Sequence, residues 1–155
     1  MNRTAARLAI GVMISAMWMF GAESSLGTWK MNLAKSKFTG TNVTKGRTDV
    51  RVSTPDGGVK ATQTEQLTDG TSRTINYTYK FDGKEYPVTG APYDVISVKK
   101  VDADTVAYDV KKTGGKYHVT GQSVVSKDGK TRTQIAKGTD AEGKPVSSTM
   151  VFEKQ

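Results

Sequence analysis

The residues that could do chemistry are few, and their spacing excludes most of it. The one imidazole, His118, stands between Tyr117 and Val119. On an alternating strand that is the polar phase, so His118 is expected at the surface and not as a catalytic base. A single His in a chain without Cys builds no multi-ligand metal site, and the absence of Cys also removes disulfides and thiol nucleophiles. No Gly-x-Ser-x-Gly elbow occurs. Asp102 and Asp104 flank Ala103, a spacing that suits a turn between strands better than a carboxylate pair or a calcium loop. The glycine pairs are not followed by a helix and make no phosphate cradle. No catalytic constellation and no cofactor is expected.

What remains is an aromatic interior. Arg73, Ile75, Tyr77, Tyr79 and Phe81 share one phase of a strand, and Thr74, Asn76, Thr78 and Lys80 share the other. Val106, Tyr108 and Val110 repeat the pattern. So do Tyr117, Val119, Ser123 and Val125, with Gly121 among them, and Val146, Ser148, Met150 and Phe152. The candidate lining is therefore Ile75, Tyr77, Tyr79, Phe81, Tyr108, Tyr117, Met150 and Phe152. It would suit a flat or chain-like apolar ligand oriented by tyrosine hydroxyls. The same residues could instead simply pack a core.

The elements that position these residues are strands. Turn signals recur every eight to twelve residues: Pro55-Asp56-Gly57-Gly58, Thr68-Asp69-Gly70, Asp82-Gly83-Lys84, Gly114-Gly115, Asp128-Gly129-Lys130 and Glu142-Gly143-Lys144. Between them the pattern predicts strands near 26–32, 43–54, 59–67, 72–81, 85–89, 94–101, 105–112, 116–126, 131–138 and 145–152. Short connections make sequential strands antiparallel neighbours. Closing the meander removes both edges, so the expected fold is an all-β, antiparallel, up-and-down barrel of about 8–10 strands. The one long connection, Leu33 to Asn42, has room for at most one helical turn, as a lid or an irregular crossing.

The sequence of 155 residues suits a single domain, and its 35% apolar share is too low for a helical core of that size but fits a β-domain. The net charge of +8 comes mostly from Lys spread along the chain, not from a basic patch interleaved with aromatics, so nucleic acid is not an expected partner. Residues 1–24 have the order of a cleavable signal peptide. Arg3 and Arg7 lead, Leu8–Phe20 is apolar, and Gly21, Ala22, Glu23 and Ser24 are small or polar. Cleavage after Ser24 places Ala22 at −3. The alternative is an uncleaved anchor, but the apolar run falls short of the roughly 20 residues a bilayer takes. Residues 25–155 form the expected mature domain, a monomer without a membrane span, periplasmic or secreted.

Two short stretches carry a resemblance. Gly27-Thr28-Trp29-Lys30 opens the first strand, and Met150-Val151-Phe152-Glu153-Lys154 closes the last. In type and placement they resemble the lipocalin and fatty-acid-binding (calycin) superfamily, in which both features sit at the closed end of the barrel. The stretch from Asp82-Gly83-Lys84-Glu85-Tyr86-Pro87-Val88 through Asp128-Gly129-Lys130-Thr131 resembles exported bacterial lipocalin-like proteins of unassigned role. In that bacterial setting the sequons Asn42-Val43-Thr44 and Asn76-Tyr77-Thr78 are ordinary strand residues. The resemblance gives Trp29 a structural place at the narrow end, beside Gly27, as packing alone would. The fatty-acid-binding branch holds its ligand carboxylate with an Arg and a Tyr on the last strand, and those positions fall on Met150 and Phe152. Neither binds an anion. The branch's two-helix lid and the lipocalins' Thr-Asp-Tyr motif have no counterpart.

Two functional expectations follow. One is an exported, non-enzymatic barrel holding a small apolar or amphipathic, neutral ligand. The other is a basic module that engages an anionic envelope component or a protein partner, with a filled core.

Overall fold

The computed structural model describes residues 24–40 and 44–155. The expected signal peptide, residues 1–24, lies outside the described residues except for Ser24. The strands are β1 (Gly27–Met31), β2 (Lys37–Thr39), β3 (Thr44–Ser53), β4 (Val59–Leu67), β5 (Ser72–Tyr79), β6 (Asp82–Thr89), β7 (Val95–Lys100), β8 (Thr105–Lys111), β9 (His118–Val125), β10 (Thr131–Thr139) and β11 (Pro145–Lys154). The one helical element among the described residues is a 3₁₀ turn, Leu33–Lys35.

Every pairing is antiparallel. From β3 to β11 each strand pairs with the next, and β1 bridges β3 and β11. The result is the expected closed meander, a ten-strand barrel with no long free edge. Tight turns hold it together. In the one from Ser126 to Thr131, Gly129 has φ 70°, a left-handed conformation that glycine adopts without a side-chain penalty.

The predicted long connection holds more structure than a loop. β1 stops at Met31, the 3₁₀ turn offsets the chain, and β2 resumes against the same partner. Phe152–Lys154 of β11 pair with β1, whereas Ser147–Thr149 pair with β2. The break is stitched to β11. Asn32 N–H donates to Val151 O at 2.8 Å, and Val151 N–H donates to Ser36 Oγ at 3.1 Å. Asn32 also caps the turn through its side chain, accepting from Lys35 N–H. No pairing joins β2 to β3 among the described residues.

Alternation places one face of each strand inside. The interior divides in two. The larger apolar cluster gathers Val59, Ala61, Ile75, Tyr77, Tyr79, Val88, Ile96, Val98, Val110, Val119 and Ala136. A smaller one, Trp29, Met31, Val125, Met150 and Phe152, closes the end where β1 meets β11.

Candidate functional site

The closed end is built around Trp29, which is fully buried and donates its indole N–H to Ser25 O at 2.9 Å. Arg132 on β10 is fully buried too. Its guanidinium lies 4.3 Å from the Phe152 ring centroid and 5.4 Å from that of Trp29. It pairs with Asp49 on β3, itself fully buried. Burial pushes the Asp49 carboxyl up, but Arg132, then Arg51 and Arg47, outweigh that and hold it below its ordinary value. Burial and the like charge of Arg51 pull Arg132 down to about 10 in spite of Asp49.

Above this plug lies a cavity of about 300 Å³, within the range of small-ligand pockets. Tyr77, Tyr79, Tyr108, Tyr117 and Met150 line it. The core is not filled, contrary to what the surface-module expectation required. Tyr108 lies over Gly121, the residue opposite it on β9: a Cβ there would sit 2.7 Å from the phenol ring and 2.4 Å from Ile135 O. Tyr93 adds a ring the strand pattern did not single out. It stacks on Tyr117 with centroids 5.4 Å apart. Burial raises the Tyr77, Tyr93 and Tyr117 hydroxyls above their ordinary values, and Tyr108 to about 12. They are protonated donors at neutral pH.

Three expected lining residues are not on the wall. Phe152 is spent on the plug, under Arg132. Ile75 is fully packed inside the larger cluster. Phe81 falls past the end of β5 and packs edge-on against Tyr79 at 5.4 Å.

The larger correction concerns polarity. Arg47, Arg51, Gln63, Glu65, Arg73, Ser123 and Gln134 also line the cavity. Glu65, fully buried on β4, faces Arg47 on one neighbouring strand and Arg73 on the other. Arg47 Nε reaches its Oε1 at 2.9 Å, Arg73 Nε its Oε2 at 2.5 Å, and Thr44 donates to it at 3.2 Å. Burial raises the Glu65 carboxyl, but Arg47 and Arg73 more than reverse this. Deeper, Gln63 Nε2 donates to the Tyr77 hydroxyl at 2.6 Å. Gln63 Oε1, Gln134 Oε1 and Arg51 Nε have no partner among the described residues. The signal for this array was present in the strand register. Tyr79, Tyr77 and Ile75 point inward. Their partners Val59, Ala61 and Gln63 must do the same, and so must Arg51 and Asp49 beyond them.

Phe38 and Thr39 on β2, Thr44 at the start of β3, Pro92 and Tyr93, and residues 140–142 complete the lining. His118 lies on the outer face, 2.8 Å from Asp109, as expected of its phase. Among the described residues no group of three or more His, Cys, Asp or Glu could hold a metal, and no helix is long and apolar enough to cross a membrane.

No family model matches the sequence, and no curated protein matches it. Among solved structures, EF1p2_mFAP2b bound to DFHBI is similar to this chain in fold. The TM-score is 0.51 at 11% identity, covering 88% of this chain and 98% of that one. That likeness is one of fold alone, a closed antiparallel β-barrel.

Proposed function

We propose that this chain is an exported binding protein that holds one small organic molecule in its barrel. The observation that carries the proposal is the cavity of about 300 Å³ with its aromatic wall and unpartnered buried polar atoms. A polar group left unsatisfied away from water costs about 1–3 kcal/mol, and a core that exists only to pack would not retain several of them. The wall combines flat phenol rings with donors and acceptors, which suits an amphipathic ligand. A barrel of similar fold was solved bound to DFHBI, which is consistent with this use of the architecture. The role is holding, not catalysis. Export rests on the charged, apolar and small-residue order of residues 1–24. N-terminal sequencing of the protein recovered outside the cytoplasm should begin between Glu23 and Leu26, and a start at Met1 would contradict export.

The test of binding uses the neutral fluorophore N-phenyl-1-naphthylamine. Titration should give saturable enhancement with one site per chain. Ser123→Trp, which puts a bulky ring at a position that lines the lumen and not the outer face, should abolish it while the barrel still melts cooperatively. Equal enhancement in both proteins would show that the probe binds elsewhere and overturn the assignment.

A further inference from the structure

The floor of the cavity carries charge that its own partners do not balance. Arg51 is 5% exposed and lines the cavity. Its Nη2 stands 3.5 Å from Asp49 Oδ2 and its Nη1 3.4 Å from the Tyr79 hydroxyl, both at the outer limit of a hydrogen bond. The same Asp49 oxygen takes its short contact from Arg132. One carboxylate thus serves two guanidiniums and serves Arg51 less well. Arg51 Nε, edge-on in the guanidinium fork, has no partner. Around it are further donors. The Tyr77 hydroxyl accepts from Gln63 Nε2 and keeps its own O–H to give, and Tyr79 keeps its O–H likewise. Gln134, 7% exposed, adds the N–H donors of its amide, while its Oε1, an acceptor without a partner among the described residues, is open to a hydroxyl or N–H of the ligand.

We infer that the ligand is an organic anion, its carboxylate, sulfonate or phosphate seated at Arg51 on the floor formed with Tyr77, Tyr79 and Gln134. Its flat apolar body runs from there toward Tyr93 and Tyr117. This rests on the ligand-binding reading above and gives it a chemical class. It also replaces the neutral ligand expected from the sequence. That expectation weighed only the last strand, whereas the cations come from β3 and β10. The other charged groups of the wall leave the floor as the seat. Glu65 is held by Arg47 and Arg73, Glu142 is exposed, and Asp140, whose buried Oδ2 has no partner among the described residues, acts on Tyr117 and not on Arg51. An anion at the floor restores charge balance where solvent screens poorly, which a surface lysine cannot offer. The planar fork of Arg51 accepts a two-oxygen headgroup side-on.

The experiment compares 8-anilinonaphthalene-1-sulfonate with N-phenyl-1-naphthylamine, the same ring system without the sulfonate. The native protein should bind the anion about tenfold more tightly or better, the scale of one hydrogen-bonded charge contact. Arg51→Gln should erase the preference and leave the neutral probe bound. Gln134→Glu, which places an anion at the floor while leaving Arg51 intact, should erase it as well. Lys137→Gln on the outer face should leave it unchanged. Displacement of the sulfonate probe by 2-naphthoate, 2-naphthalenesulfonate and 2-naphthyl phosphate then ranks the headgroups, with neutral 2-naphthol weakest. Equal affinity for the two probes in the native protein, or a preference that survives in a folded Arg51→Gln variant, overturns the anion site while the cavity stands. Binding of neither probe overturns both.

Discussion

Trp29 and Arg132 show two kinds of legibility at the residue scale. Gly27 and Trp29 are visible in the sequence because a large aromatic at the start of a first strand has one obvious use, plugging a narrow end. Trp29→Ala should cost about 3–5 kcal/mol, as large aromatic truncations in cores do, and an unchanged thermal midpoint would remove Trp29 from the core. Arg132 is not visible in this way, because a lone Arg in a Thr-rich strand looks like a solvated residue. It is buried because two aromatic rings and Asp49 take its place in water's stead. Asp49→Asn leaves Arg132 and Arg51 without a counter-ion and should cost about 3–5 kcal/mol. The pH dependence follows from the same pairs. The folded protein holds Asp49 and Glu65 below their ordinary values, so the unfolded chain takes up protons first as pH falls. Their contribution is complete above about pH 5 and is lost progressively as pH drops through roughly 4 toward the folded values. Thermal midpoints measured from pH 6 to pH 3 should fall steeply for the native protein and less steeply for Asp49→Asn. Parallel curves would show that Asp49 contributes nothing to the acid limb.

Alternation is a reliable guide at the scale of the element only where the inward face is apolar. β5 was read correctly because Ile75, Tyr77 and Tyr79 announce their side. β3 and β10 invert the rule. Val50, Val52 and Ile135 are exposed, whereas Asp49, Arg51, Arg132 and Gln134 point inward. Only pairing resolves them, since the hairpin turns fix the register and β5 fixes the side. The sequence pattern offers the Leu33–Asn42 connection as a lid or irregular crossing with at most one helical turn. Up to Gly40 it holds the single helical turn, a 3₁₀ turn, and a resumed strand, and what heals the break is β11, whose paired residues lie one to eight positions before Gln155. No local pattern carries that information. On β9 and β10 the decisive residue is Gly121, which lets Tyr108 lie flat on the sheet. Gly121→Val should displace the ring and strain β10, lowering stability by about 1–3 kcal/mol. A melt indistinguishable from the native one would mean that Tyr108 has an alternative rotamer at no cost.

For the whole molecule, closure is what the sequence states most clearly. Short turns at regular spacing leave an antiparallel meander few options, and ten strands leave more interior than side chains of this size fill. What the interior contains was less legible, because polar lining and solvated surface are the same residue types on opposite phases. The function therefore turns on whether a ligand enters the barrel or settles outside it. Outside there is a rival place, a groove on the outer sheet with Lys37, Lys99, Lys137 and the exposed Ile135. Intermolecular NOEs between bound N-phenyl-1-naphthylamine and the isotope-labelled protein separate the two directly. Contacts from the probe's ring protons to Tyr77, Tyr117 and Met150 are the predicted result, and contacts confined to Ile135, Thr149 and Ala107 would contradict the binding role assigned to the lumen.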